Sequence, residues 1–162
     1  MTAIIRLSET LTSIEAFEFS ATPGQCSKTG WMGDGHGAVT ASRQEDEIHF
    51  VETGSFLLAG QSRPVAMRNV YRWRIGQHRI TLSHERRGAD AAVVLFDLVA
   101  DGEYRLTSEA VHQCAADAYS ARILLGDGGF DLHWRICGPR KDEYLHYRYH
   151  GRAARGGGRQ SS

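Results

Sequence analysis

A chain of 162 residues with 19 basic and 19 acidic side chains carries no net formal charge, which excludes the basic footprint of a nucleic-acid binder and the polybasic face of a membrane-surface protein. The length suits one domain able to bury about 70% of its unfolded surface without a disulfide or metal staple. No apolar run approaches the ~20 residues that cross a bilayer. The start, MTAIIRLSETLTS, lacks a secretory core, and Cys26, Cys114 and Cys137 form no C-x-x-C pair. Together these predict a cytoplasmic protein with reduced thiols.

In chain order, the first expected element is a short helix near 8–16. Ser8 and Thr10 precede glutamates, and Leu7, Leu11 and Ile14 recur at helical spacing. The GDGHGAV stretch at 33–39 is rich in glycine, but no helical pattern follows it. It reads as a flexible loop entering a strand rather than a phosphate loop.

From about residue 35 to 150 the pattern is alternation. Val39 and Ala41, then Ile48, Phe50, Glu52, Phe56 and Leu58, lie on one face. In YRWRI-GQ-HRITL, a two-residue Gly76-Gln77 turn pairs Ile75 with His78, Trp73 with Ile80 and Tyr71 with Leu82. Tyr71 and Trp73 then face inward, while Arg72, Arg74 and Arg79 form an outer stripe. Asp101-Gly102 has type I′ turn chemistry and pairs Val99 with Tyr104 and Asp97 with Leu106. That register turns Asp97 and Tyr104 inward and leaves Val94, Phe96 and Leu98 as an outer apolar face, a surface on which a homodimer could form.

Further on, HQCAADAY bends between His112 and Tyr119. ARILL-GDGG-FDLHW pairs Leu125 with Phe130, Ile123 with Leu132 and Ala121 with Trp134. The last hairpin, CGPRKDEYLHYRYHG, has a four-residue turn at 138–141. It sets Trp134 opposite Leu145, Leu132 opposite Tyr147 and Phe130 opposite Tyr149. A one-residue slip would send all of these to the wrong face. Residues 1–150 are therefore expected to form one all-β domain. It is an antiparallel up-and-down barrel, lipocalin-like or calycin-like, of about nine strands within a range of 8–10, closed to hide its edges. Residues 151–162, a Gly/Arg-rich run, are expected to be a disordered tail.

The segment 112–119 has the form H-x-C-x-x-D-x-Y. GPRKD (138–142) follows about twenty residues later, ahead of a strand carrying Tyr and Arg. With YRW (71–73), these motifs resemble an uncharacterised bacterial family, a domain of unknown function that looks lipocalin-like. The resemblance spans roughly residues 30–150. It implies a small antiparallel barrel and no particular activity.

The inward polar groups are the candidate site. Ionisable side chains inside a barrel are costly unless partnered. Glu52, near Tyr71, could orient the polar head of a ligand. Asp97 interrupts an apolar strand and could act as a base, a ligand acceptor or a loop cap. Tyr71, Trp73, Tyr104, His112, Tyr119, Trp134 and Tyr147 complete the expected cavity lining. Arg140, Lys141 and Asp142 are read as an anchor at the barrel rim. His112 and Cys114 lack the further ligands zinc needs, and His133 beside His146 reads as a solvated pair, so no metal and no cofactor is expected. The leading functional reading is a small, mostly apolar ligand held inside the barrel. The alternatives are a filled barrel that binds a protein partner, and an enzyme using Asp97 or His112 with Arg140 or Lys141 near the mouth.

Overall fold

A computed structural model of the chain describes residues 2–28, 30–85, 88–109, 112–114 and 117–151, with backbone alone at 89 and 112–114. The Gly/Arg-rich tail beyond Gly151 lies outside the described residues. A helix α1 (Ala3–Leu11) opens the chain, followed by β1 (Ile14–Pro23), β2 (Gly33–Gln44), β3 (Glu47–Leu58), β4 (Val65–Ile75) and β5 (Ile80–His84). After a short 3₁₀ turn come β6 (Val93–Ala100), β7 (Arg105–Ser108), β8 (His112–Cys114), β9 (Asp117–Gly126), β10 (Gly129–Cys137) and β11 (Asp142–Gly151).

All pairings are antiparallel. The order β10-β11-β1-β2-β3-β4-β5-β6-β7-β9 closes on itself through the β9–β10 pairing. The short β8 follows β7 along the same edge of β9, so ten strands make the barrel wall. Closure pairs the strands all round the wall, although the first half of β4, from Val65 to Val70, pairs with β3 alone because β5 reaches only as far as Tyr71. Among the described residues, no helix is long and apolar enough to cross a membrane.

The helix starts five residues earlier than expected. The Thr2 side chain caps it by accepting from the Ile5 amide at 3.3 Å. Ile14 belongs to β1, where Phe17, Phe19 and Ala21 alternate inward. Leu7 and Leu11 have no exposure, and the helix lies against β6, β7, β9 and β10. It thereby plugs the end of the barrel where β1 begins and β11 ends.

The glycine-rich stretch is regular strand β2 rather than a loop. Its glycines make room for aromatic rings: a Cβ on Gly35 would meet the Phe19 ring, and one on Gly37 would meet Thr53 O and the Phe17 ring. A glycine in a strand interior often marks such a close approach.

Two hairpins keep the expected register. Leu125 pairs with Phe130 and Ala121 with Trp134, and Trp134 pairs with Leu145 and Leu132 with Tyr147. Two differ. Between β4 and β5 the turn spans four residues, closed by Gly76 N to Arg79 O at 2.8 Å, and Ile75 pairs with Ile80. This even slip keeps Tyr71 and Trp73 inside. Between β6 and β7 the loop runs over Asp101–Tyr104, and Val99 pairs with Thr107.

The register of β6 also shifts between its partners Leu82 and Ser83. This bulge lets consecutive Leu95 and Phe96 both point inward. Phe96 and Leu98 are fully buried, so strand β6 is apolar on both sides for an internal reason. The outer apolar face expected for a homodimer is absent, and only Val94 of that trio is exposed.

Candidate functional site

The lower half of the barrel is filled. Trp73, with no exposure, meets Phe50 at 5.6 Å and Phe130 at 6.1 Å, both edge-on. Trp73 is therefore core beneath the open end, not cavity wall.

Above this layer lies a polar belt. Glu52 points into the barrel with no exposure, and Tyr149 Oη donates to its Oε2 at 2.6 Å. The other oxygen, Oε1, is buried without a hydrogen-bond partner among the described residues. Burial pushes the Glu52 carboxyl up to about 7, against the opposing pull of the Tyr149 hydroxyl and the nearby Asn69 amide. The hydroxyls of Tyr71 and Tyr147 are hydrogen-bonded to each other, and burial, then the nearby Glu52 charge, raises the Tyr147 phenol. Tyr149 is pushed well above its usual range by burial and by the same carboxylate.

Above the belt is a cavity of about 670 Å³ at the end opposite the helix. Tyr71, Trp134 and Tyr147 border it from below, and Phe19, Trp31 and Phe56 form one wall. Phe19 stacks between Phe56 at 5.4 Å and Tyr147 at 4.9 Å. Trp31 leans on Phe56 at 5.0 Å. The Trp134 indole N–H is buried without an acceptor. The mouth is charged, with Arg68, Lys141 and the buried Glu143 at its edge.

Of the expected lining residues, four border the cavity: Tyr71, Tyr119, Trp134 and Tyr147. Glu52 lies beneath it, bonded to Tyr149. Asp97 and Tyr104 are placed elsewhere. The bulge in β6 turns Asp97 to the outer face, where Thr81 Oγ1 donates to it at 2.5 Å and Arg79 lies at 3.8 Å. Tyr104 sits in the longer β6–β7 loop, half exposed, with the Arg6 guanidinium 4.2 Å over its ring. His112 pairs with Tyr119 in the backbone ladder; the inward side chain expected of it lies outside the described residues.

The rim is built around Asp142. This buried carboxylate accepts from Arg135 Nε and Nη2, both at 3.3 Å, and from the Cys26 amide at 3.3 Å. Its own carbonyl accepts from Gly24 N, and Arg140 O accepts from Lys28 N at 3.0 Å. The β1–β2 connection is thereby tied to the β10–β11 turn. Arg140 contributes its backbone, with its side chain exposed. Lys141 Nζ lies 3.7 Å from Asp117 Oδ2, so the two motifs, 112–119 and 138–142, meet at the cavity mouth.

Sequence reasoning missed Phe19 and Trp31. Phe19 lay between the helix expected near 8–16 and the strands expected from about residue 35, in a stretch assigned to no element. The alternation Phe17, Phe19, Ala21 was the signal that could have found it. Trp31 sits in a connection, where no periodicity exists to read.

On the outer wall, His133 and His146 stack at 4.2 Å, as their paired positions require, with Asp131 beside them. Burial lowers the His133 imidazole, helped by His146 and Arg122 and opposed by Asp131. The arginine stripe is partnered: Glu85 Oε2 accepts from Arg72 Nε at 2.9 Å and lies 3.0 Å from His49 Nε2.

No curated protein matches the chain. A family of unknown function (DUF6314) matches residues 23–151, a span that begins at the last residue of β1, takes in the other strands of the barrel wall and includes every residue that lines the cavity except Phe19. The chain belongs to this family of unknown function.

Proposed function

We propose that the protein binds a small, mostly apolar molecule in the upper half of its barrel. The observation that carries this reading is the cavity of about 670 Å³ with aromatic walls above a floor of paired hydroxyls. Its size falls within the ~300–1,000 Å³ of small-molecule sites, which combine apolar walls with a few placed polar groups. An aromatic or branched aliphatic body fits against Phe19, Trp31, Phe56 and Trp134. A hydroxyl or carbonyl on the ligand would reach the Tyr71–Tyr147 pair. The floor accepts a neutral polar group better than an anion, because the buried Glu52 carboxyl lies just beneath it and an added negative charge there would be desolvated beside an acid.

Fluorescence titration tests this, because Trp31 and Trp134 both border the cavity. Titration with an apolar anilinonaphthalene probe should saturate at one probe per chain and quench tryptophan emission. Leu145→Trp, which places a larger ring at the cavity wall, should abolish that saturation. Unsaturable probe uptake, or uptake unchanged in Leu145→Trp, would rule out the cavity as the site.

A further inference from the structure

We propose that Asp131, His133 and His146 form a binding site for a divalent transition metal of the zinc class on the outer wall of the barrel, apart from the cavity. The three side chains offer two imidazole nitrogens and one carboxylate oxygen, all within 4.8 Å of one another. The backbone fixes this arrangement. His133 and His146 are directly opposed on β10 and β11, and Asp131 lies two residues from His133, on the same face of the same strand.

The His146 Nε2 atom is buried and makes no hydrogen bond among the described residues, with Asp131 Oδ2 3.6 Å away. A buried nitrogen with no partner is uncommon, and a metal ion would satisfy it. The rings stack nearly parallel, at an interplanar angle of 17°.

The donor set decides the metal. Two imidazoles and a carboxylate suit zinc, copper or nickel, whereas calcium and magnesium take oxygen ligands. Tetrahedral zinc with bonds of about 2.0–2.2 Å holds its ligand atoms roughly 3.4 Å apart. Moderate rotation of partly exposed side chains closes the present spacing to that value. Three protein ligands leave the fourth position open. His146 also borders an outer groove of about 610 Å³ shared with Glu18, Asp34 and His36, which gives that position room for water or a ligand.

Two cations face the cluster from neighbouring positions. Arg122 on β9 stands opposite His133, and Arg148 on β11 stands opposite Asp131. Arg148 leans toward Glu18, 3.9 Å away. Among the described residues Arg122 is in an ion pair with no carboxylate, so it is the charge that opposes a bound cation.

Isothermal titration of the full chain with Zn²⁺ tests the site. One saturable site is expected. His133→Ala and His146→Ala should each weaken it by at least the about 10–100-fold that even an outer-shell partner is worth. Asp131→Asn should weaken it less, and Arg122→Gln should tighten it. His150→Gln, which alters a histidine of the same strand outside the cluster, should leave it unchanged. Unchanged affinity in His146→Ala, or loss in His150→Gln, would overturn the proposal. Imidazole resonances followed by NMR give a check that does not depend on variants. Substoichiometric Zn²⁺ should shift the signals of His133 and His146 first, and shifts confined to other histidines would refute the assignment.

Discussion

Tyr149 Oη stands 2.6 Å from Glu52 Oε2 and ties β11 to β3 across the barrel interior, between strands that are not neighbours in the sheet. The bond separates two regions. Below it the barrel is packed with Trp73, Phe50 and Phe130. Above it the same wall encloses the cavity. A lone carboxyl at this depth is costly to ionise, and its position makes the fold sensitive to pH.

The direction of that sensitivity follows from linkage. The Glu52 carboxyl is raised from 4.5 to about 7, so the folded state holds a proton that the unfolded chain releases above its ordinary pKa. Stability from this group is fully present below pH 4.5 and is lost as pH rises through about 7. The shift corresponds to about 3 kcal/mol across that window. Glu52→Gln keeps an acceptor for Tyr149 without the charge. Urea denaturation should show the wild-type protein less stable at pH 8 than at pH 5, and the variant nearly level between them. A wild-type slope of the opposite sign would contradict the account of Glu52.

At the rim, Asp142→Ala should destabilise by about 1–3 kcal/mol, because it removes a buried carboxylate that accepts from both Arg135 and the Cys26 amide and ties the two segments together. Arg140→Ala should stay within about 0.5 kcal/mol, since its side chain is exposed and its structural contact is through the backbone. Thermal unfolding of the two variants compares them directly. The expected order, Asp142 far above Arg140, assigns the anchor to the acid rather than to the basic pair.

Strand β2 offers a steric test. Gly35→Ala drives a methyl group into the Phe19 ring, which is itself held between Phe56 and Tyr147. A loss of about 1–3 kcal/mol is expected, together with altered near-ultraviolet circular dichroism from the displaced aromatic stack. Ala38, which lies on the outer face of the same strand, should tolerate Ser with little change.

Much of this architecture was legible in the alternation of apolar residues. The barrel, the two C-terminal hairpins and the inward row Trp134, Leu132, Tyr147 and Tyr149 follow from turn chemistry and period-two pattern alone. What failed has local causes. The Gly76-Gln77 and Asp101-Gly102 dipeptides resemble two-residue turns, yet each sits in a four-residue loop. The first error was even and harmless. The second met a bulge near Leu95, and their combination reversed the face of Asp97. A bulge leaves no clear mark in a strand as apolar as VVLFDLVA. Strand β1 was hidden because Leu7, Leu11 and Ile14 keep helical spacing across a boundary set by backbone hydrogen bonding at residues 12–13. In the site, the aromatic floor was readable, but Trp31 and Phe19 needed tertiary closure to arrive there. Asp131 joins His133 and His146 through strand pairing that was predicted, though its place as a third ligand was not drawn from it.

The central claim is that the upper barrel holds a small molecule. Native mass spectrometry of the protein purified from its own host tests it most directly. A retained mass of a few hundred daltons, released on denaturation and absent from Leu145→Trp, is the predicted result. A bare chain mass for the wild-type protein, together with a crystal structure in which its own aromatic side chains fill the upper barrel, would contradict it.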